Sequence, residues 1–155
     1  MNLSALRNLK LQHPGILLDD REILLIANAI GEFPQCNLLV FGMGNDSQLW
    51  LDINARGRTA FLEDNREWFN RVMETCPAAE ACLVSYNTIL SQWEEIMDDE
   101  SRLAMDLPPR INGTRWDVIL VDGPSGDLPS YRKRHGVEPP GRMCSIYMSS
   151  RLVNK

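Results

Sequence analysis

The sequence predicts an α/β fold built on a doubly wound, mainly parallel sheet. Three observations carry that expectation. Apolar runs at residues 37–41, 59–62 and 116–121 are separated by stretches whose apolar residues recur at helical spacing. Each run stops at a glycine or an acid: Gly42-Met43-Gly44, Glu63-Asp64 and Asp122-Gly123-Pro124. Strands alternating with helices in this way pair in parallel, and their carboxyl ends open onto a shared crevice.

The elements run in order along the chain. Asp19 and Glu22 form a capping box for a helix through Ile23, Leu24, Ile26, Ala27 and Ile30, with Gly31 as its stop and Pro34 beyond. The first strand runs over 37–41, and a short helix over 46–53 presents Leu49, Trp50 and Ile53 on one face. A turn at Asn54-Ala55-Arg56-Gly57 leads into the second strand. Asn65 caps the next helix, where Trp68, Phe69, Val72 and Met73 read as core, and Pro77 ends it. A strand is expected over 81–86, then a helix containing Trp93, Ile96 and Met97. Asp98-Asp99-Glu100 reads as a solvated acidic run, and Pro108-Pro109 breaks the chain before the strand at Trp116. Residues 125–140 read as a loop rich in Gly, Pro and charge. Gly141-Arg142-Met143 then opens a last helix through Ile146, Tyr147, Met148 and Leu152. Of the four tryptophans, most are expected in the core rather than stacked on a ligand.

The chain has 155 residues, the size of one domain, with 1–17 as an N-terminal extension. Its net charge of −5 argues against a general nucleic-acid binder. No apolar run approaches the ~20 residues that cross a bilayer, and Met1-Asn2-Leu3-Ser4-Ala5-Leu6-Arg7 lacks the apolar core of a signal peptide. As written, the chain is expected to be soluble. The four cysteines, Cys36, Cys76, Cys82 and Cys144, include no Cys-x-x-Cys pair, and the two histidines, His13 and His135, are far apart. Buried thiols fit this pattern better than a zinc site, so no metal is assigned. Cys76 and Cys82 are close enough in sequence to pair in an oxidising compartment, which spacing alone leaves open.

The strand ends supply the chemistry. A glycine turn opening a helix, as at Gly42-Met43-Gly44-Asn45-Asp46-Ser47, lets backbone approach a bound cofactor. An acid ending the second strand is where a nucleotide-type cofactor presents its ribose hydroxyls; Glu63 is the better placed, with Asp64 the alternative. Asp122 sits at the crevice either as an acceptor of a substrate proton or as the cap of the turn through Gly123 and Pro124.

Four segments together resemble a known family. They are 37–47 (Asn-Leu-Leu-Val-Phe-Gly-Met-Gly-Asn-Asp-Ser), Phe61-Leu62-Glu63-Asp64, 116–124, and Pro140-Gly141-Arg142-Met143-Cys144-Ser145-Ile146-Tyr147. In this order they resemble the glucuronoxylan 4-O-methyltransferase family, which includes the irregular-xylem polysaccharide-biosynthesis proteins. The resemblance implies a Rossmann-like class I methyltransferase sheet, S-adenosylmethionine as cofactor, and the 4-hydroxyl of glucuronic acid side chains of xylan as target. It implies a Golgi location and a polysaccharide acceptor as partner. Gly42, Gly44, Asn45, Asp46, Ser47, Glu63 and Asp64 would then line the cofactor, Asp122 would stand where cofactor and acceptor meet, and Arg142 and Tyr147 would border the acceptor.

Where the family usually has Gly-His-Asp-Ser, this chain has Gly44-Asn45-Asp46-Ser47. The family also continues beyond the position of Lys155 with another strand carrying a His-Asp pair, so the sheet is expected to be short of its C-terminal strands. A non-catalytic biosynthesis factor with the same fold, or a small-molecule methyltransferase, are the competing expectations. Finally, Tyr131-Arg132-Lys133-Arg134-His135 is a basic run in an acidic chain. It reads as solvated surface or as a lid, while Arg142, at a helix start, is the stronger candidate to bind an acceptor carboxylate.

Overall fold

The computed structural model describes residues 2–126 and 128–154, and all of their side chains except those of Leu128, Ser130 and Arg134. In chain order the elements are α1 (Leu3–Lys10), α2 (Asp20–Gly31), β1 (Asn37–Phe41), α3 (Ser47–Ile53), β2 (Arg58–Glu63), α4 (Arg66–Thr75) and β3 (Glu80–Leu83). A 3₁₀ turn (Leu90–Gln92) leads to α5 (Trp93–Ile96), α6 (Glu100–Leu103), α7 (Pro109–Asn112), β4 (Val118–Val121), α8 (Leu128–His135) and α9 (Met143–Leu152). The four strands form one sheet in the order β3-β2-β1-β4, with every pairing parallel. The expected doubly wound sheet is therefore present. Its strand order reverses between β1 and β4, the place where such sheets open a crevice.

Alternation along β1 builds the two layers. Leu38 and Val40 face a core that includes Leu6, Ile23, Ile30, Leu49, Trp50 and Phe61. Leu39 and Phe41 face the opposite core, with Leu62, Ile111, Trp116, Met148 and Leu152. A strand covered on both faces must be apolar throughout, which is why β1 reads as a continuous run. The N-terminal stretch joins this architecture, since α1 buries Leu6 completely and is tied to α2 by Arg7–Asp20 and Lys10–Asp20 pairs.

Several local expectations hold. The Asp19/Glu22 capping box is complete, and Asn65 accepts the Trp68 backbone N–H. Others are corrected. Residues 128–135, read as loop, form α8, which ends at Gly136 in the left-handed region (φ +70°). Gly31 is the last helical residue rather than a left-handed stop. The third strand ends at Leu83 because the chain leaves the ladder after Val84 N–H donates to the Glu63 carbonyl at 2.8 Å. Trp93 is exposed, unlike the fully buried Trp50 and Trp116. The acidic run at 98–100 is partly structural, since Asp99 caps α6 and Glu100 accepts the Tyr147 hydroxyl at 2.9 Å. All four cysteines are free and buried; Cys76 and Cys82 belong to the cores on opposite faces of the sheet, which separates the two thiols that spacing had left open to pairing.

Beside β4 the ladder has begun again. Trp116 N–H donates to Leu152 O at 3.1 Å and Asn154 N–H donates to Trp116 O at 2.8 Å, a parallel bridge between Trp116 and Val153. Val118–Val121 are only half-buried, so among the described residues the sheet edge beyond that bridge is uncovered. No helix among the described residues is long and apolar enough to cross a membrane.

At the amino end of the sheet, Arg58 donates to both Glu80 carboxylate oxygens (2.8 and 2.7 Å) and stacks over Trp116, with Arg110 3.3 Å from the same carboxylate. The Arg58 bonds, with the two arginine charges, hold the Glu80 carboxyl below its usual value near 4.5. A carboxyl with a depressed folded pKa stabilises the fold above its unfolded pKa and ceases to do so as pH falls through the folded one. Glu80→Gln is therefore expected to lower unfolding free energy by about 1 kcal/mol near neutral pH, with the difference from wild type vanishing in acid. Urea unfolding at about pH 7 and about pH 3 checks this; an equal difference at both would contradict it.

Candidate functional site

The Glu63 carboxylate organises the crevice. Its Oε2 accepts the Met43 backbone N–H at 2.7 Å and its Oε1 accepts the Asn65 N–H at 2.8 Å. These bonds tie the end of β2 to the loop leaving β1 and to the cap of α4. Glu63 is only 6% exposed, yet it borders the main cleft. Burial pushes its carboxyl pKa up, and the two backbone bonds pull against that shift. A carboxylate offers about four acceptor positions, so two remain for hydroxyl donors such as a vicinal diol.

The cleft encloses about 640 Å³ above the carboxyl ends of β1, β2 and β4. Gly42, Met43, Glu63 and Asp64 form its floor, Trp68 and Arg71 of α4 one wall, Asp122 to Gly126 and Arg142 the other, and Tyr131 and His135 of α8 its roof. The basic run thus supplies two aromatic rings, 4.4 Å apart between centroids, to the cleft; the side chain of Arg134 lies outside the described residues. Burial also raises the Asp64 pKa, opposed by a hydrogen bond from its own backbone N–H.

Gly42 is required by packing. Its φ is +105°, and a Cβ there would lie 2.8 Å from the Gly123 nitrogen. A Cβ on Gly123 would in turn meet the Gly42 Cα at 2.8 Å, so the two strand ends touch backbone to backbone. At Gly44 a Cβ would lie 2.6 Å from the Asp46 carboxylate, and its N–H donates to the buried Ser47 hydroxyl at 2.9 Å.

The remaining candidates divide into those inside and those outside the main cleft. Asp46 accepts the Trp50 indole N–H at 3.0 Å; burial raises its pKa, and the nearby Asp122 charge adds to the rise. Gly44 and Asn45 border a neighbouring groove of about 340 Å³ that shares the Trp68–Arg71 wall. Asn45 donates its amide to the Gly15 carbonyl at 3.1 Å, holding the N-terminal segment beside the glycine loop. Ser47 is buried in the first turn of α3. Asp122 is exposed at the rim, its carboxylate 3.6 Å from an Arg142 nitrogen. Tyr147 lies outside the cleft lining, bonded to Glu100.

Arg142 lines the cleft, but its guanidinium is committed to backbone. It donates to Pro124 O (3.1 Å), Val121 O (3.3 Å) and Asp122 O (2.5 Å), clamping the turn after β4. Sequence reasoning missed Met43 on the floor and the wall residues Trp68 and Arg71. The indole N–H of Trp68 donates to the Met43 carbonyl, so this residue, read as core, is a fixed wall. Its spacing to Val72 is the same in either role, so periodicity carried no signal for the difference.

The sequence profile described as IRX15/IRX15L/GXM matches residues 21–105 and 97–155. The chain is 34% identical over 149 residues to Arabinogalactan O-methyltransferase 2 of Arabidopsis thaliana, covering 83% of this chain and 48% of that protein. It is 31% identical over 149 residues to Glucuronoxylan 4-O-methyltransferase 1 of the same plant, covering 86% and 50%. To Protein IRX15-LIKE it is 36% identical over 139 residues, covering 77% and 41%. The chain therefore spans about half the length of the curated relatives it matches. No solved structure matches it.

Arg142 uses three separate nitrogens for its three carbonyls, and a lysine ammonium offers its donors from one point on a differently shaped stem. Arg142→Lys is expected to lower unfolding free energy by about 1–3 kcal/mol without any ligand present, measured by urea denaturation. Unchanged stability would contradict the clamp.

Proposed function

The chain belongs to the IRX15/IRX15L/GXM family, and on that premise we propose that it carries the cofactor half of a polysaccharide O-methyltransferase that uses S-adenosylmethionine. The observation that carries this reading is Glu63: a buried carboxylate at the end of β2, facing the cleft with acceptor positions to spare beside a close-packed glycine turn. That donor set fits the cofactor. Glu63 would take the two ribose hydroxyls, Gly42 and Met43 would pass beneath the ribose, and Asp64 would border it. When bound, the cofactor supplies a methyl group made electrophilic by its sulfonium.

The chain's own residues do the rest. Transfer to a hydroxyl needs the acceptor oxygen held in line with the methyl carbon. As the oxygen–carbon bond forms and the methyl–sulfur bond breaks, its electron pair staying on sulfur, the hydroxyl proton must leave, and the exposed Asp122 carboxylate at the cleft rim is the group we assign to accept it. Arg142 positions Asp122 by clamping the turn that carries it and by facing its carboxylate.

For the acceptor we propose the 4-hydroxyl of glucuronic acid side chains of xylan, within the polysaccharide class that the relatives' names share, and a Golgi setting. Arabinogalactan O-methyltransferases stand equally near. A second reading, a biosynthesis factor that keeps the fold without turnover, is favoured by the relatives Protein IRX15-LIKE and Protein IRREGULAR XYLEM 15, whose names state no reaction.

Calorimetric titration with S-adenosylhomocysteine tests the cofactor assignment. Wild type is expected to bind it, and Glu63→Gln, which keeps one backbone acceptor, to bind it at least about tenfold more weakly. The ionised form accepts hydroxyls best, and burial raises its pKa. Affinity is therefore expected to fall on acidification at a higher pH than an ordinary glutamate would give. Equal affinity of folded wild type and Glu63→Gln would contradict the assignment.

A further inference from the structure

The cleft is rich in carboxylates: Glu63, Asp64, Glu67 and Asp122 all line it. A ligand that itself carries a carboxylate needs a cation there, and Arg142, the expected one, has its guanidinium on three carbonyls. Arg132, in the basic run of α8, is paired with Glu138. Arg71 differs from both. It is exposed, lines both the main cleft and the adjoining groove, and makes no hydrogen bond or ion pair among the described residues.

Its position is nevertheless defined. The guanidinium carbon lies 5.0 Å from the centroid of the Trp68 ring, an arrangement in which the ring face attracts the cation and leaves its in-plane N–H donors free. Trp68 is fixed in turn by its bond to the Met43 carbonyl, and the Met43 N–H by Glu63. A run of contacts therefore links Arg71 to the carboxylate assigned to the ribose. A planar fork with unused donors, held on an aromatic face beside a binding cleft, matches a carboxylate in two-point geometry.

We infer that Arg71 is the carboxylate-binding residue of this cleft. The inference rests on the proposed function for the two ligands that could bring the carboxylate: the amino-acid end of the cofactor and the uronate of the acceptor.

Two ligand pairs, each differing in the carboxylate-bearing part, separate these sources. S-adenosylhomocysteine is compared with 5′-methylthioadenosine, which lacks the amino-acid end. A glucuronate-bearing xylan oligosaccharide is compared with its carboxyl-reduced counterpart. Each is titrated calorimetrically into wild type, Arg71→Ala and Arg71→Lys, with circular dichroism confirming the fold. In one pair, Arg71→Ala is expected to weaken the carboxylate-bearing member about tenfold or more and leave the other unchanged, with Arg71→Lys intermediate. The affected pair identifies the source. Equal weakening of both members, or no weakening in either pair, would overturn the inference. Wild type that binds the sugar pair but not S-adenosylhomocysteine would sink the methyl-donor reading while leaving Arg71 tested by the sugars. Wild type that binds none of the four would overturn both.

Discussion

A buried carboxylate between two backbone amides sets the geometry of the whole crevice. Glu63 receives N–H bonds from Met43 and Asn65, so one side chain fixes the exit of β1, the end of β2 and the start of α4. Burying a charge is costly unless it is hydrogen-bonded, and here the bonds come from groups that also need partners. The next helix inherits this arrangement. Asn65 caps α4, α4 presents Trp68, Trp68 closes on Met43, and Arg71 lies over Trp68. Part of the floor and one wall of the cleft are thus joined by hydrogen bonds and one ring contact into a single unit.

The opposite wall is built differently. Gly42, just after β1, and Gly123, two residues after β4, touch backbone to backbone, which draws the Asp122 turn against the glycine loop. Arg142, reaching from the start of α9, holds that turn by its carbonyls. Gly42 and Arg142, both in the cleft lining, thus also shape the site through backbone contacts. The charge near Asp122 is a consequence of that clamp, because a guanidinium brought to the Asp122 carbonyl lies within 3.6 Å of its carboxylate.

Much of this was legible in the sequence, and the parts that were not have physical reasons. β1 and the order of strand ends could be read because a strand buried on both faces must be apolar and its end must turn. The caps at Asp19 and Asn65 could be read because capping requires those side chains. α8 was missed because residues 128–135 carry no apolar stripe, so nothing in their spacing separates a polar helix from a loop. The backbone partners of Arg142 were invisible because carbonyls have no residue signature. Tyr147 was placed beside the acceptor by the family resemblance alone; its hydroxyl donates to Glu100 of α6, a partner that no spacing in the sequence announces. Trp68 shows the limit of periodicity, which places a residue on a helix face but does not say whether that face meets core or cleft.

Glu63 and the Asp122 turn are proposed to bracket one methyl donor, and every other role assigned to the cleft depends on that. A crystal structure of the chain with S-adenosylhomocysteine tests it most directly. Both ribose hydroxyls are expected within hydrogen-bond distance of the Glu63 carboxylate, with the sulfur turned toward Asp122. Density for the ligand elsewhere, or a ribose that leaves Glu63 untouched, would contradict it.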